Sequence, residues 1–188
     1  MDAIMITLVA VLLANADGRS GVFLARLAAL RNDARTVMAI AFAGFAANAL
    51  VAASIGTLAN RTIGQGAIVL IVAVALVAAA VALLWSRRPH DDARLVAAPM
   101  PLLALRMLAA QIGDRGSFLI AALAATSGAG LWAAAGGTIG WLLALLPFLA
   151  LGPALADRPP ARLLRWASAA ILLLWGLRSA LGAFGLFA

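Results

Sequence analysis

Asn15-Ala16-Asp17-Gly18-Arg19-Ser20-Gly21 sits inside a run that is otherwise apolar from Ile4 to Leu30. The run is long enough to cross a bilayer, since about 20 helical residues span about 30 Å of hydrocarbon. The cluster begins roughly 15–22 Å into the run at 1.5 Å per residue, which puts it near the bilayer centre. A charge there costs at least about 2.5–3.5 kcal/mol and normally faces a cavity or a partner. The glycines weaken the helix and let backbone carbonyls turn toward a ligand. A second cluster of the same kind, Gln111-Ile112-Gly113-Asp114-Arg115-Gly116-Ser117, interrupts the run from Pro99 to Ala125.

Working outward from these clusters, the remainder of the chain is membrane-like. The 188 residues are 65% hydrophobic and 11% charged, with a mean hydropathy of +1.07. Soluble domains are about 45–50% apolar. Six spans are expected: Ile4 to Leu30, Val37 to Ala59, Ala67 to Trp85, Pro99 to Ala125, Leu131 to Leu155 and Leu163 to Phe187. All 14 basic residues are Arg and all seven acidic residues are Asp. The net charge of +7 does not indicate nucleic acid, because the arginines fall between apolar runs and form no single basic face. With no Cys there is no disulfide or thiolate chemistry.

The loops orient the chain. Arg26, Arg31 and Arg35 lie in the first, Arg87, Arg88 and Arg94 in the third, and Arg158, Arg162 and Arg165 in the fifth. The second holds only Arg61, and the fourth, around Thr126 to Gly130, holds none. By the positive-inside rule the odd loops are cytoplasmic and both termini are outside. Trp85, Trp132 and Trp166 fall at span ends, where aromatic belts form, while Trp141 and Trp175 lie deeper and pack. Gly136 and Gly140 form a GxxxG pair that lets the fifth span approach a neighbour closely. Arg106 and Arg178 fall within spans and are read as snorkelling to an interface. His90 is read as a solvated loop residue. Ala14-Asn15-Ala16 looks like a signal-peptide cleavage site, but Asp2 and the absence of a basic n-region argue for a retained first span.

The two clusters are related. A shift of 96 residues aligns Asn15 with Gln111, Arg19 with Arg115, Gly44 with Gly140 and Gly56 with Gly152, and superposes spans one to three on four to six. The chain is therefore read as one all-α membrane domain, residues 1–188. Its parts are a first three-helix repeat (1–86), a cytoplasmic linker (87–98) and a second three-helix repeat (99–188). An odd number of helices per repeat inverts the second repeat, a design in which transporters place their substrate site at the repeat interface.

Asp carboxylates, amide oxygens and hydroxyls are hard donors suited to Ca²⁺, Mg²⁺ or Mn²⁺, and a buried carboxylate can exchange a proton for a cation. Asp17, Asp114, Asn15 and Gln111 are the candidate ion ligands. Arg19, Arg115, Ser20 and Ser117 are the candidate pathway residues. The competing reading is structural: Asp17 with Arg115, or Asp114 with Arg19, pairs across the interface and holds the halves together. Pairing within one cluster is less natural, because residues two apart on a helix do not face each other.

Two three-helix repeats, each with a polar motif in its first helix, resemble the Gdt family of calcium/manganese–proton antiporters, within the lysine-exporter superfamily. The family motif is E-x-G-D-[KR]-[TS]. Gln111-Ile112-Gly113-Asp114-Arg115-Gly116 matches at Gly, Asp and the basic position. Asn15-Ala16-Asp17-Gly18-Arg19-Ser20 matches at the basic and hydroxyl positions, with Gly and Asp exchanged. The resemblance implies cation–proton exchange, with the family's two glutamates binding the cation. Here amides, Asn15 and Gln111, stand in both places, and Asp17, Asp114, Arg19 and Arg115 sum to zero charge. The expected function is Mn²⁺ or Ca²⁺ export or exchange for protons. The alternatives are transport of another small solute held by Arg19 and Arg115, or a non-transporting membrane scaffold. No enzyme constellation and no bound cofactor is expected. The expected partners are the bilayer, the transported cation and protons, with a homodimer as candidate assembly. The Ala- and Arg-rich, Lys-free composition suggests a bacterial protein of the inner membrane.

Overall fold

The computed structural model describes residues 2–85 and 96–185. The expected linker loop, with Arg87, Arg88, His90 and Arg94, lies almost wholly outside these residues. Among the described residues every element is helical. The first expected span is two helices, α1 (Asp2–Ala14) and α2 (Arg19–Leu30), bent by 70° at the break between them. Then come α3 (Ala34–Thr62) and α4 (Gln65–Leu84). The fourth expected span is also two helices, α5 (Met100–Gln111) and α6 (Arg115–Ser127). After these come α7 (Gly130–Leu151), a 3-10 turn (Pro153–Asp157) and α8 (Pro159–Ala183).

Four helices, α3, α4, α7 and α8, are each long and apolar enough to cross a membrane, and the bent α1–α2 pair makes a fifth crossing if taken as one. The polar clusters thus divide their runs completely. Gly18 at φ 68° and Gly113 at φ 78° adopt the left-handed conformation that ends a helix and costs a residue with a Cβ about 1–2 kcal/mol.

Glycine governs how the helices meet. A Cβ on Gly136 would stand 2.1 Å from the Ile4 carbonyl oxygen, and one on Gly140 2.3 Å from that of Leu8, so α7 lies backbone to backbone against α1. This is the close approach that the GxxxG spacing predicts. On the other side, a Cβ on Gly56 would stand 2.2 Å from the Ala121 carbonyl oxygen, which sets α3 equally close to α6. Gly176 brings α8 against Ala73 and Val77 of α4. Each broken helix pair therefore packs on the long middle helix of the other half. Where α3 and α7 cross, Phe45 and Trp141 stack with ring centroids 4.3 Å apart and planes 7° from parallel. These two residues are 96 apart, the spacing that relates the polar clusters.

The interior is apolar, with Val11, Phe45, Leu76, Leu119 and Leu172 fully buried. The outside is apolar too: Leu131, Leu163 and Leu174 are all exposed. A surface of that kind suits lipid. Trp85 and Trp132 are exposed at helix ends, Trp166 is exposed two turns inside α8 and not at its end as expected, Trp141 is buried, and Trp175 packs on the core. Arg106 and Arg178 are exposed.

Candidate functional site

The first break is shaped by α1's own C-terminus and by Phe148. Asn15 Nδ2 donates to the Val11 carbonyl at 2.9 Å, which also accepts the Asn15 backbone N–H at 3.1 Å, so the side chain folds back on the end of α1. Gly18 lies under the Phe148 ring, where a Cβ would meet Cζ at 2.0 Å. The acid is therefore displaced to position 17. The Asp17 side chain is 5% exposed, and its Oδ2 receives Arg115 Nη2 at 2.7 Å and Arg19 Nε at 3.1 Å. Arg19 Nη2 also donates to the Trp85 carbonyl at 2.7 Å.

The cross-interface pair Asp17–Arg115 is one of the two structural pairings the sequence allows. The Asp17–Arg19 pair corrects the expectation that neighbours within a cluster stay apart. That expectation assumed a continuous helix, whereas Asp17 lies in the break and its carboxylate is free to turn back on α2. One carboxylate between two guanidiniums leaves this trio with a net charge of +1.

The second break is built differently. Gly113 takes the left-handed turn in open space, so Asp114 follows it in extended conformation and caps α6, its Oδ2 accepting from Gly116 N at 3.3 Å. Such a cap contributes about 1 kcal/mol. Ser117 Oγ donates to the Gln111 carbonyl at 3.3 Å, tying the two sides of the break together. Gln111 Nε2 donates to the Ala41 carbonyl at 3.1 Å, but its Oε1 is buried with no donor among the described residues. Asn48 Nδ2 anchors α5 through the Leu108 carbonyl at 3.2 Å.

The two breaks meet around Gly116. A Cβ there would lie 3.3 Å from Asp114 Oδ2, 3.3 Å from Phe45 Cζ and 3.5 Å from Asn15 Nδ2. This crowding accounts for glycine where the family motif carries a hydroxyl residue. Beside it is a cavity of about 110 Å³, with room for several water molecules. Ser20, Gln111 and Asp114 supply its oxygen donors, and Phe23, Met107 and Trp141 form apolar walls.

Of the eight candidate residues, the cavity collects Ser20, Gln111 and Asp114. Asn15 lies beside Gly116, Ser117 braces the break, and Asp17, Arg19 and Arg115 form the ion trio. The cavity thus holds one carboxylate, and no group of three or more His, Cys, Asp or Glu occurs among the described residues. Asn48 was missed by sequence reading, although a polar residue inside the second span was signal enough. Met107 and Phe148 carried no such signal, because apolar residues in a span look alike until the helices are packed.

The family model of the divalent cation/proton antiporter GDT1 matches residues 102–186. This stretch, a little under half of the chain, is similar to the GDT1 family. The matched segment takes in the second break and five cavity residues, Met107, Ala110, Gln111, Asp114 and Trp141. The first break, where Gly and Asp are exchanged, lies outside it. No curated protein and no solved structure gives a significant match to the chain.

Proposed function

We propose that this protein is a secondary transporter exchanging a divalent cation, Mn²⁺ or Ca²⁺, for protons through the cavity at the two helix breaks. The observation that carries the reading is the cavity at the two breaks lined by Asp114, Gln111 and Ser20, with Asp114 and Gln111 inside the segment that the GDT1 model matches. Asp114 is the exchangeable acid: as carboxylate it holds the cation, and protonated it is neutral for the return step. Ser20 adds a neutral hydroxyl donor of the kind hard cations take, and Gln111, whose Oε1 is turned onto Gly44, adds a second amide oxygen once its side chain rotates into the cavity. A single carboxylate attracts a divalent ion weakly, and the net positive trio beside it weakens the attraction further. Low affinity and fast release follow.

In the same reading the chain crosses the bacterial inner membrane six times, α1–α2 and α5–α6 each making one broken crossing. The halves are inverted repeats with both termini outside. Supporting this are the stacking of Phe45 on Trp141 at the repeat spacing and the reciprocal packing of each broken pair on the other half's middle helix.

The test is flux in proteoliposomes, following Mn²⁺ entry and lumenal pH together. Wild type should couple Mn²⁺ entry to proton exit, and Asp114→Asn should abolish both while remaining folded. Full flux in the mutant would remove Asp114 from the mechanism. Absence of Mn²⁺ and Ca²⁺ flux from folded wild type would remove the divalent-cation reading. It would favour an anionic solute, for which Arg115 Nη1, buried without an acceptor, is a ready donor.

A further inference from the structure

We propose that the groove along α4 is a binding site for one anionic phospholipid of the cytoplasmic leaflet, with the lipid phosphate on Arg19 and an acyl chain along α4. The groove encloses about 720 Å³, and apart from Arg19 its walls are apolar. Its floor is a single helical stripe of α4, in which Ala73, Ala78 and Ala82 leave a hollow between Leu70, Val77 and Val81. From Leu70 to Trp85 the stripe rises about 22 Å at 1.5 Å per residue. That exceeds half of the roughly 30 Å hydrocarbon core, so one leaflet's acyl chain fits along it. Val74 and Trp85, also on the wall, are exposed at 56% and 69%, so the groove opens to lipid and not to the protein interior.

The head end is decided by charge. Arg19 stands at the Trp85 end of the groove and donates to the Trp85 carbonyl, a neutral acceptor at the terminus of α4, so it lies level with the end of that span and not at mid-bilayer as the run length alone suggests. Among the described residues its one ionic partner, Asp17, is shared with Arg115, so the two guanidiniums face one carboxylate. The Arg19 side chain remains 31% exposed, and only this member of the trio lines the groove. A phosphate diester supplies the missing negative charge, and a guanidinium binds phosphate well because its donors match the oxygen geometry. Basic pockets between membrane helices on the cytoplasmic side take anionic headgroups for this reason. A zwitterionic lipid offers the same tail but no net charge.

The experiment uses the full chain in detergent, with native mass spectrometry and thermal unfolding as readouts. The probes are phosphatidylglycerol, phosphatidylcholine and inorganic phosphate. Phosphatidylglycerol should bind with 1:1 stoichiometry, about five- to tenfold tighter than phosphatidylcholine. Arg19→Gln should bring the two lipids level, and Ala78→Phe, which fills the tail slot from the exposed side of α4, should weaken both. Equal binding of the two lipids by wild type, or stabilisation by inorganic phosphate alone to the same degree, would overturn the proposal. If Arg19→Gln does not fold, Ala78→Phe decides: unchanged lipid binding in that variant overturns the groove. Neither readout depends on transport, so this site stands or falls separately from the cation site.

Discussion

Asp17 and Asp114 are the same residue type in matching clusters, one position out of step, and their surroundings give them different work. Asp17 is buried between two guanidiniums, whereas Asp114 caps a helix and faces a cavity. Removing the charge of Asp17 leaves two arginines without their carboxylate, and breaking a buried pair this way costs about 3 kcal/mol or more. Asp17→Asn should therefore lower the thermal stability of the detergent-solubilised protein sharply, while Asp114→Asn, which keeps a capping oxygen because Asn and Asp cap about equally well, should cost little. Equal melting temperatures for the two variants would contradict this division of roles. Gly18→Ala should also destabilise, by about 2 kcal/mol or more. It forces a Cβ both into the left-handed region and against the Phe148 ring. Phe148→Leu should recover only part of the loss, because the backbone penalty remains.

Among the elements, the deciding contacts are helix backbones held together at glycine. Gly136 and Gly140 admit α1, and Gly56 admits α6, each at a distance no side chain tolerates. Gly136→Ala and Gly56→Ala should each force the helices apart and cost about 2 kcal/mol or more, read as loss of thermal stability. Gly182, inside α8 with nothing near its would-be Cβ, is the control. There Gly182→Ala should be neutral or stabilising by up to about 1 kcal/mol, through helix propensity alone. The GxxxG spacing was legible in the sequence, but its partner was not: spacing reports a flat stripe on α7, and only packing selects α1 to lie on it. The breaks were legible for a similar reason, since Gly beside charge within an apolar run is a local signal. The 70° bend at the first was not, because the direction of the chain after a break is set by what α2 packs against.

Across the whole molecule, a part-buried cluster at Arg31 helps tie the two halves together. Arg31, at the end of α2, grips both oxygens of Asp33 at 2.9 and 3.0 Å and donates to the carbonyls of Val96 and Ala98 just ahead of α5. The Arg31 guanidinium, bonding Asp33, holds that carboxyl below its usual range, and the same bond raises Arg31. A lowered folded pKa means that the contribution is present above the ordinary carboxylate value of about 3.9 and is lost as pH falls through the folded value. Protease cleavage near residues 96–98 should thus stay constant from about pH 8 to pH 5 and rise only in stronger acid. Arg31→Ala should raise it at every pH. The orientation is tested on the same scale. Because the chain has no Cys, single cysteines at Ala129 and Ala161 report one loop each. Membrane-impermeant thiol reagent added outside intact cells should label Ala129→Cys and not Ala161→Cys. The reverse pattern would invert the topology.

By itself the sequence determined that this is a helical membrane protein, where its helices run, where two of them break and which family its second half resembles. Hydropathy, glycine conformation and motif spacing are local properties, and each is written in consecutive residues. The tertiary structure decided which acid faces the cavity. Exchanging Gly and Asp between the two breaks leaves composition and spacing almost unchanged. It nevertheless turns one carboxylate into an ion trio and leaves the other beside Gln111 and Ser20. That outcome depends on Phe148 lying over Gly18 and on Arg115 reaching across from the other half, contacts between residues more than 90 positions apart. The rotation of one packed helix against another sets where a side chain points, and no stretch of sequence holds that rotation alone.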